Sequence, residues 1–396
     1  YEDIDLASTW LVCGANMAYA HPVLFRRIEA AKAADPARRL IVVDPRRTDT
    51  AAVADLHLAI RPGSDVALHL ALGHELLRLG AVDAAWIDAH AAGWEELAPI
   101  LRAWPPERAA AACGLRAEDI RTAASWLIGR PWMSLWTMGL NQSSSGTDKV
   151  ASLVNLSLIT GTVGRPGCGP FSLTGQPNAM GGREAGGLAN LLPAHRSLAS
   201  PADRAAVEDF WGVPRGTIPA APGLTAVELM AALRDGRCRA VWIIATNPVA
   251  SLPAALGCDE ALRRAELVVV QDAYACDTLP FADVVLPAAT WPEKTGAMTT
   301  SERRVHLVEA AQPAPGGARP DWRIISDVAR AMGFAEGFAH ADEAAVFAEH
   351  CALTRGTSCD MSGLSHALLR QRRSVQWPCP APDHPGTARL FADGRF

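Results

Sequence analysis

The chain has 396 residues, 49% of them apolar, and a formal net charge of -5. That length supports two or three domains with substantial cores, and the acidic balance excludes a general nucleic-acid-binding surface. No run of about 18 apolar residues occurs, so no membrane span or membrane partner is expected. The nine cysteines form neither a CxxC nor a metal-spaced cluster, and they read as reduced structural thiols of a cytoplasmic protein. Only Cys168 stands in a segment where chemistry is plausible, with a small filler as the alternative.

In chain order, residues 10–13 read as a short buried strand broken at Gly14, Ala15 and Asn16. A helix opens at His21 and Pro22, where a proline lacking its N–H does no harm. Arg39–Val43 is a second buried strand, running into Asp44, Pro45, Arg46, Arg47 and Thr48. A third strand, 56–60, leads to Gly63, Ser64 and Asp65, where Ser64 or Asp65 can cap a helix lasting to Leu77. Strand, turn and helix at this spacing predict parallel βαβ units. Residues 83–129 read as helical, 132–138 as a strand, and 148–159 as a helix.

Residues 161–196, GTVGRPGCGPFSLTGQPNAMGGREAGGLANLLPAHR, carry too many glycines and prolines for a helix or strand interior. A long structured loop of this kind inside a compact domain is expected to be functional, here at a domain boundary. It contains Arg183, which can steer a small oxyanion through bidentate hydrogen bonds. A salt bridge of Arg183 with Glu184, fastening the loop, is the competing reading. Further on, a helix near 225–233 precedes strands at 240–245, 267–270 and 283–286. An irregular stretch follows from Trp291 to Arg304, then a helix at 321–332. Past residue 336 come two helical patterns and a proline-rich end with no core of its own.

Polar clusters fall where open parallel sheets bind ligands, at the carboxyl ends of strands. They are Asn16, Asp44 to Thr48, Ser64 and Asp65, residues 138–142, Asn247, and Gln271 with Asp272. Two nucleotide-like moieties or one large ligand fit that distribution. The turn at Gly14 lacks GxGxxG, which argues against a dinucleotide dehydrogenase.

The stretch WTMGLNQSSSGTDKVASLVNLSLITGTVGRPGCGPFSLTGQPNAMGGREAGGLANLLPAHR resembles the catalytic subunits of assimilatory nitrate reductases, within the molybdopterin-dependent oxidoreductases. CGANMAYAHPVLFRRI, VVDPRRTDTA, VVQDAY and VVLPAATWPEKTGAMTTSERRV support the same likeness in the same order. The resemblance implies two doubly wound, mostly parallel, Rossmann-like α/β domains, at 1–164 and 165–335. Residues 336–396 would be a helical linker, and the family's iron–sulfur domain and carboxyl-terminal barrel are not expected within this chain.

It further implies molybdenum held by two molybdopterin guanine dinucleotides. Gly14, Asn16, Met17 and His21 would line one, with Asp44, Pro45, Arg46, Arg47, Thr48, Gly63, Ser64 and Asp65 at its nucleotide end. Met138 and Gln142 would lie near the pterins. Asn247, Gln271, Asp272, Lys294 and Asp321 would bind the second dinucleotide, and Arg183 would approach nitrate. No cysteine matches a molybdenum ligand, so no metal ligand is expected in this chain, and a [4Fe-4S] cluster would be ligated elsewhere. The implied partners are nitrate and an electron donor: ferredoxin, flavodoxin or an NADH-linked flavoprotein. Formate dehydrogenase, or a non-catalytic scaffold subunit of the same fold, is the alternative reading.

Overall fold

The computed structural model describes residues 1–387 and 395–396. The chain divides into two compact units, the first running from Tyr1 to Gln176 and the second beginning at Pro177. The first unit is built on five parallel strands: β1 Thr9–Cys13, β2 Arg39–Val43, β3 Leu56–Leu58, β4 Trp132–Trp136 and β5 Gly169–Ser172, in spatial order β3-β2-β1-β4-β5. Alternate residues of β1 and β2 point to opposite faces. Leu11, Cys13, Ile41 and Val43 pack with Leu68, Leu72, Leu76, Ile120 and Leu153 from the helices on one side. Trp10, Val12, Leu40 and Val42 pack with Phe25 and Ile28 on the other. The sheet is therefore covered on both faces, as a parallel sheet with continuous apolar strands requires. Each of these aliphatic side chains contributes roughly 1.5–3 kcal/mol by leaving water.

The first unit does not end near residue 164. β5, inside the glycine-rich segment, pairs with β4 from Met133–Gly169 to Trp136–Ser172, and Leu173 N–H continues the ladder to the Trp136 carbonyl at 2.8 Å. Gly169 has φ of 99°, a conformation that favours glycine, and it was the segment's density of glycine and proline that read as loop throughout.

The second unit has three layers of pairing. A two-residue antiparallel ladder joins β6 Leu191–Leu192 to β7 Arg196–Ser197. A parallel sheet, in order β10-β9-β8, comprises β8 Ala240–Ile244, β9 Leu267–Asp272 and β10 Val284–Pro287. Val241, Ile243, Val268 and Val270 bury one face of it against helices Ala226–Arg234 and Cys258–Arg264. Thr225 caps the first of these helices through a reciprocal bond pair with Glu228.

The third layer is an antiparallel sheet of β11 Gly296–Thr299, β12 Arg304–Val308 and β13 Ser374–Gln376. The stretch from Trp291 to Arg304, expected to be irregular, thus contains most of a hairpin. Nor is the region past 336 a linker without a core. Helices Glu343–Leu353 and His366–Arg372 lead to β13, and Val375, Trp377 and Cys379 are buried. Residues 388–394 of that stretch lie outside the described residues.

Candidate cofactor and anion sites

In the first unit the strand order reverses at β1, with β2 on one side and β4 on the other. This is the switch point at which an open α/β sheet leaves a crevice. Gly14 directly follows β1, and Gly139 lies in the helical turn Met138–Asn141 that comes after β4. Gly139 N–H donates to the Gly14 carbonyl at 3.1 Å, and Gly14 N–H donates to Val43 at 2.9 Å. A Cβ on Gly14 would stand 2.9 Å from the Gly139 backbone, and one on Gly139 would stand 2.6 Å from Gly14. The crest of the sheet is therefore bare backbone.

Around it, Asn16 accepts from the Thr50 hydroxyl at 3.0 Å, and Thr50 accepts from Ala18 N–H at 2.9 Å, tying the loop after β1 to the helical turn after β2. Met17 is buried beneath this loop. His21 Nε2 lies 2.9 Å from the Thr174 carbonyl, which can only accept, so the neutral ring carries its proton there. Its Nδ1 is buried with no partner among the described residues. Met138 and Gln142 bracket the helical turn Met138–Asn141 that directly follows β4, with Gln142 exposed.

After β2, the Asp44 carboxylate accepts from Arg46 N–H at 2.8 Å and is buried, while His57 donates to the Asp44 carbonyl at 2.8 Å. This turn holds Pro45, Arg46 and Arg47 out to solvent, and among the described residues neither guanidinium has a hydrogen-bond or ion-pair partner. Thr48 caps the next helical turn by accepting from Ala51 N–H at 3.2 Å. Gly63 turns with φ of 88° in open space.

Ser64 does not cap helix Asp65–Arg78; its hydroxyl donates to the Arg61 carbonyl at 2.6 Å. Asp65 points inward, paired with Lys149 at 2.8 Å, with His69 and Ser152 close by. Burial, opposed in part by Asp65, pushes His69 down to about 4. Burial and the Asp65 charge both push the Cys13 thiol upward, and burial raises Cys168, so neither is a ready thiolate.

In the second unit, polar residues again gather at strand ends. Asn247, after β8, donates to Asp277 at 3.0 Å and accepts from Thr278 at 2.7 Å. Gln271, near the end of β9, is fully buried; its amide donates to Asp321 at 2.8 Å, and its Oε1 has no partner among the described residues. Lys294 reaches the other Asp321 oxygen at 2.5 Å and lies over the Trp291 ring. Asp272 holds its own turn by accepting from Tyr274 N–H at 3.1 Å.

Arg183 sits on helix Ala179–Glu184, which sequence reading had as loop. Its side chain is exposed and makes no ion pair or hydrogen bond among the described residues. The salt bridge with Glu184 does not form. Glu184 instead is 1% exposed and accepts from the Thr299 hydroxyl at 2.7 Å and from Trp377 Nε1 at 2.6 Å. Burial pushes its carboxyl above the ordinary range despite both bonds.

Sequence reading missed Gly139, Thr50, Thr299 and Trp377. Of these, Gly139 alone left a signal, since it falls in the cluster 138–142 expected after β4.

In the first unit the bare backbone at the switch point, Arg46 and Arg47 with no carboxylate partner among the described residues, and the buried, unpartnered His21 Nδ1 suit an anionic ligand with hydrogen-bonding groups. Comparison with known proteins identifies the class. The molybdopterin oxidoreductase family matches residues 1–331, and the chain belongs to that family, which implies a molybdopterin cofactor. It is 44% identical over 402 residues to a nitrate reductase of Synechocystis sp., covering 100% of this chain and 56% of that protein. It is 41% identical over 394 residues to an assimilatory nitrate reductase of Haloferax mediterranei, covering 99% of this chain and 54% of that protein. The chain thus spans about half the length of the curated relatives it matches. Acetylene hydratase from Pelobacter acetylenicus shares the fold, with a TM-score of 0.70 at 20% identity, over 99% of this chain and 55% of that structure. Among the described residues no helix is long and apolar enough to cross a membrane, and no group of His, Cys, Asp and Glu side chains has the makings of a metal site.

Proposed function

We propose that this chain is the cofactor-binding part of an assimilatory nitrate reductase, which converts nitrate to nitrite by taking up two electrons and two protons and releasing water. The observation that carries the reading is Arg183: an exposed guanidinium without a carboxylate partner among the described residues, on a helix whose neighbouring Glu184 is buried and doubly bonded. A planar guanidinium matches a planar oxyanion by paired N–H donors and favours the charge that develops as an N–O bond breaks.

The cofactor in this reading is molybdenum bis(molybdopterin guanine dinucleotide), which when bound supplies two-electron redox and oxygen-atom transfer chemistry. The first unit, which runs on to Gln176, would receive one dinucleotide. There Gly14, Asn16 and His21 would line its pterin side with Met17 buried beneath them, and the His21 Nδ1 would supply an acceptor. Arg46 and Arg47 take phosphate, with Asp44, Pro45, Thr48, Gly63, Ser64 and Asp65 shaping the nucleotide end. Met138 and Gln142 border the pterins. Within the second unit, Asn247, Gln271, Asp272, Lys294 and Asp321 would receive the second dinucleotide, with the buried Gln271 Oε1 still lacking a partner among the described residues. The electrons would be supplied by ferredoxin, flavodoxin or an NADH-linked flavoprotein in the cytoplasm, with a [4Fe-4S] cluster as the redox relay.

Arg183→Ala in the cofactor-loaded enzyme tests the reading. It should lower nitrate kcat/KM by roughly 10²-fold, as loss of one oxyanion donor does, while molybdenum and pterin contents hold. Unchanged nitrate kinetics would exclude the role. Formate-dependent turnover with none on nitrate would assign the chain to formate oxidation instead.

A further inference from the structure

Both ends of the helix that carries Arg183 are fastened to one residue. At its start, the Asn178 side-chain oxygen accepts from Thr299 N–H at 2.8 Å. At its end, Glu184 accepts from the Thr299 hydroxyl at 2.7 Å. Trp377 Nε1 completes the Glu184 carboxyl at 2.6 Å, and Ala194 N–H donates to the Glu184 carbonyl at 2.7 Å. A Cβ on Gly181 would collide with the Asn178 side chain, so glycine there lets that amide fold back over the first turn. The helix is one and a half turns long and rich in glycine, so its own hydrogen bonds cannot hold it. What fixes its direction is this set of side-chain bonds to β11 and to the residue just past β13.

We propose that Glu184 is the positioning residue for Arg183: its carboxyl, bonded to Thr299 and Trp377, aims the guanidinium at the anion. The proposal rests on the nitrate reading of Arg183. Glu184 reaches no substrate itself. It works by fixing the short helix from which Arg183 projects, so that less orientational freedom is lost on each binding event. The effect therefore falls on anion affinity more than on the chemical step.

The test compares Glu184→Ala, Glu184→Gln and Thr299→Val in the cofactor-loaded enzyme, with Arg183→Ala in parallel. Glu184→Ala should raise nitrate KM by roughly tenfold or more with a much smaller change in kcat, the signature of lost binding. Its molybdenum content should hold, and hydrogen exchange at the Gly182 and Ala185 amides should accelerate. Glu184→Gln keeps an acceptor for Trp377 and an amide for the Thr299 oxygen, so it should restore both KM and exchange protection. Thr299→Val keeps the backbone bond to Asn178 and loses only the hydroxyl, so its KM should lie between wild type and Glu184→Ala. Wild-type KM and exchange in Glu184→Ala, with Arg183→Ala impaired, overturns the positioning role alone. Insensitivity of both variants overturns it together with the nitrate reading. Should Glu184→Ala fail to fold, a Thr299→Val enzyme with unaltered KM and exchange overturns it as well.

Discussion

Gly14 and Gly139 touch through their backbones, with Gly139 N–H donating to the Gly14 carbonyl at 3.1 Å. The contact joins the ends of β1 and β4 at the point where strand order reverses, and it leaves no side chain between that edge and a ligand.

Gly14→Ala should therefore damage both fold and cofactor retention. The residue has φ of 55°, and the new methyl would stand 2.9 Å from backbone that cannot swing aside. The left-handed conformation alone costs about 1–2 kcal/mol for a residue with a Cβ. We expect a thermal midpoint several degrees lower and a reduced pterin content, read by calorimetry and by fluorescence of the released, oxidised pterin. An alanine enzyme with wild-type melting and pterin content would contradict the close approach.

Lys149 is buried beside Asp65 at 2.8 Å. Removing one partner leaves a lone buried charge, which costs about 3–5 kcal/mol, whereas apolar replacement of both is often neutral. Lys149→Met should destabilise strongly, and Asp65→Leu added to Lys149→Met should recover much of the loss. Chemical denaturation of both variants measures this, and equal losses in the single and double variants would refute it.

His69 titrates at about 4 against an ordinary 6.5, because burial outweighs the favourable Asp65 charge. The unfolded chain thus takes up its proton near 6.5 and the folded ring only near 4. Stability should fall as pH drops through that interval, by at most about 1.4 kcal/mol per pH unit from this residue. Above pH 6.5 the residue adds no pH dependence. His69→Gln should flatten the profile between pH 6.5 and 4, as followed by thermal melts across that range. A profile as steep as the wild type's would assign the acid sensitivity elsewhere.

Much of the fold was legible because the parallel strands are continuous apolar runs bounded by turns. Arg39–Val43 matches its expected limits, and the strands at 240–245 and 267–270 fall within two residues of those observed. The same logic placed Asn16, Asp44 and Gln271 at or just beyond strand ends. The glycine-rich segment misled because β5 and helix Ala179–Glu184 are too short and too rich in glycine for propensity to register; pairing with β4 and bonding to Thr299 stabilise them instead.

Chain-local chemistry was thus enough to set the main parallel strands and their helices, the turns at which polar residues collect, and Arg183 as an anion-facing candidate. The tertiary structure decided which polar groups are free to act. It turned Asp65 inward to Lys149, left Arg46, Arg47 and Arg183 without partners among the described residues, and bound Glu184 to residues 115 and 193 positions away in sequence. Pairings over such separations leave no periodic trace in the chain, because the bond energy depends on where the fold brings two side chains together and not on the spacing between them.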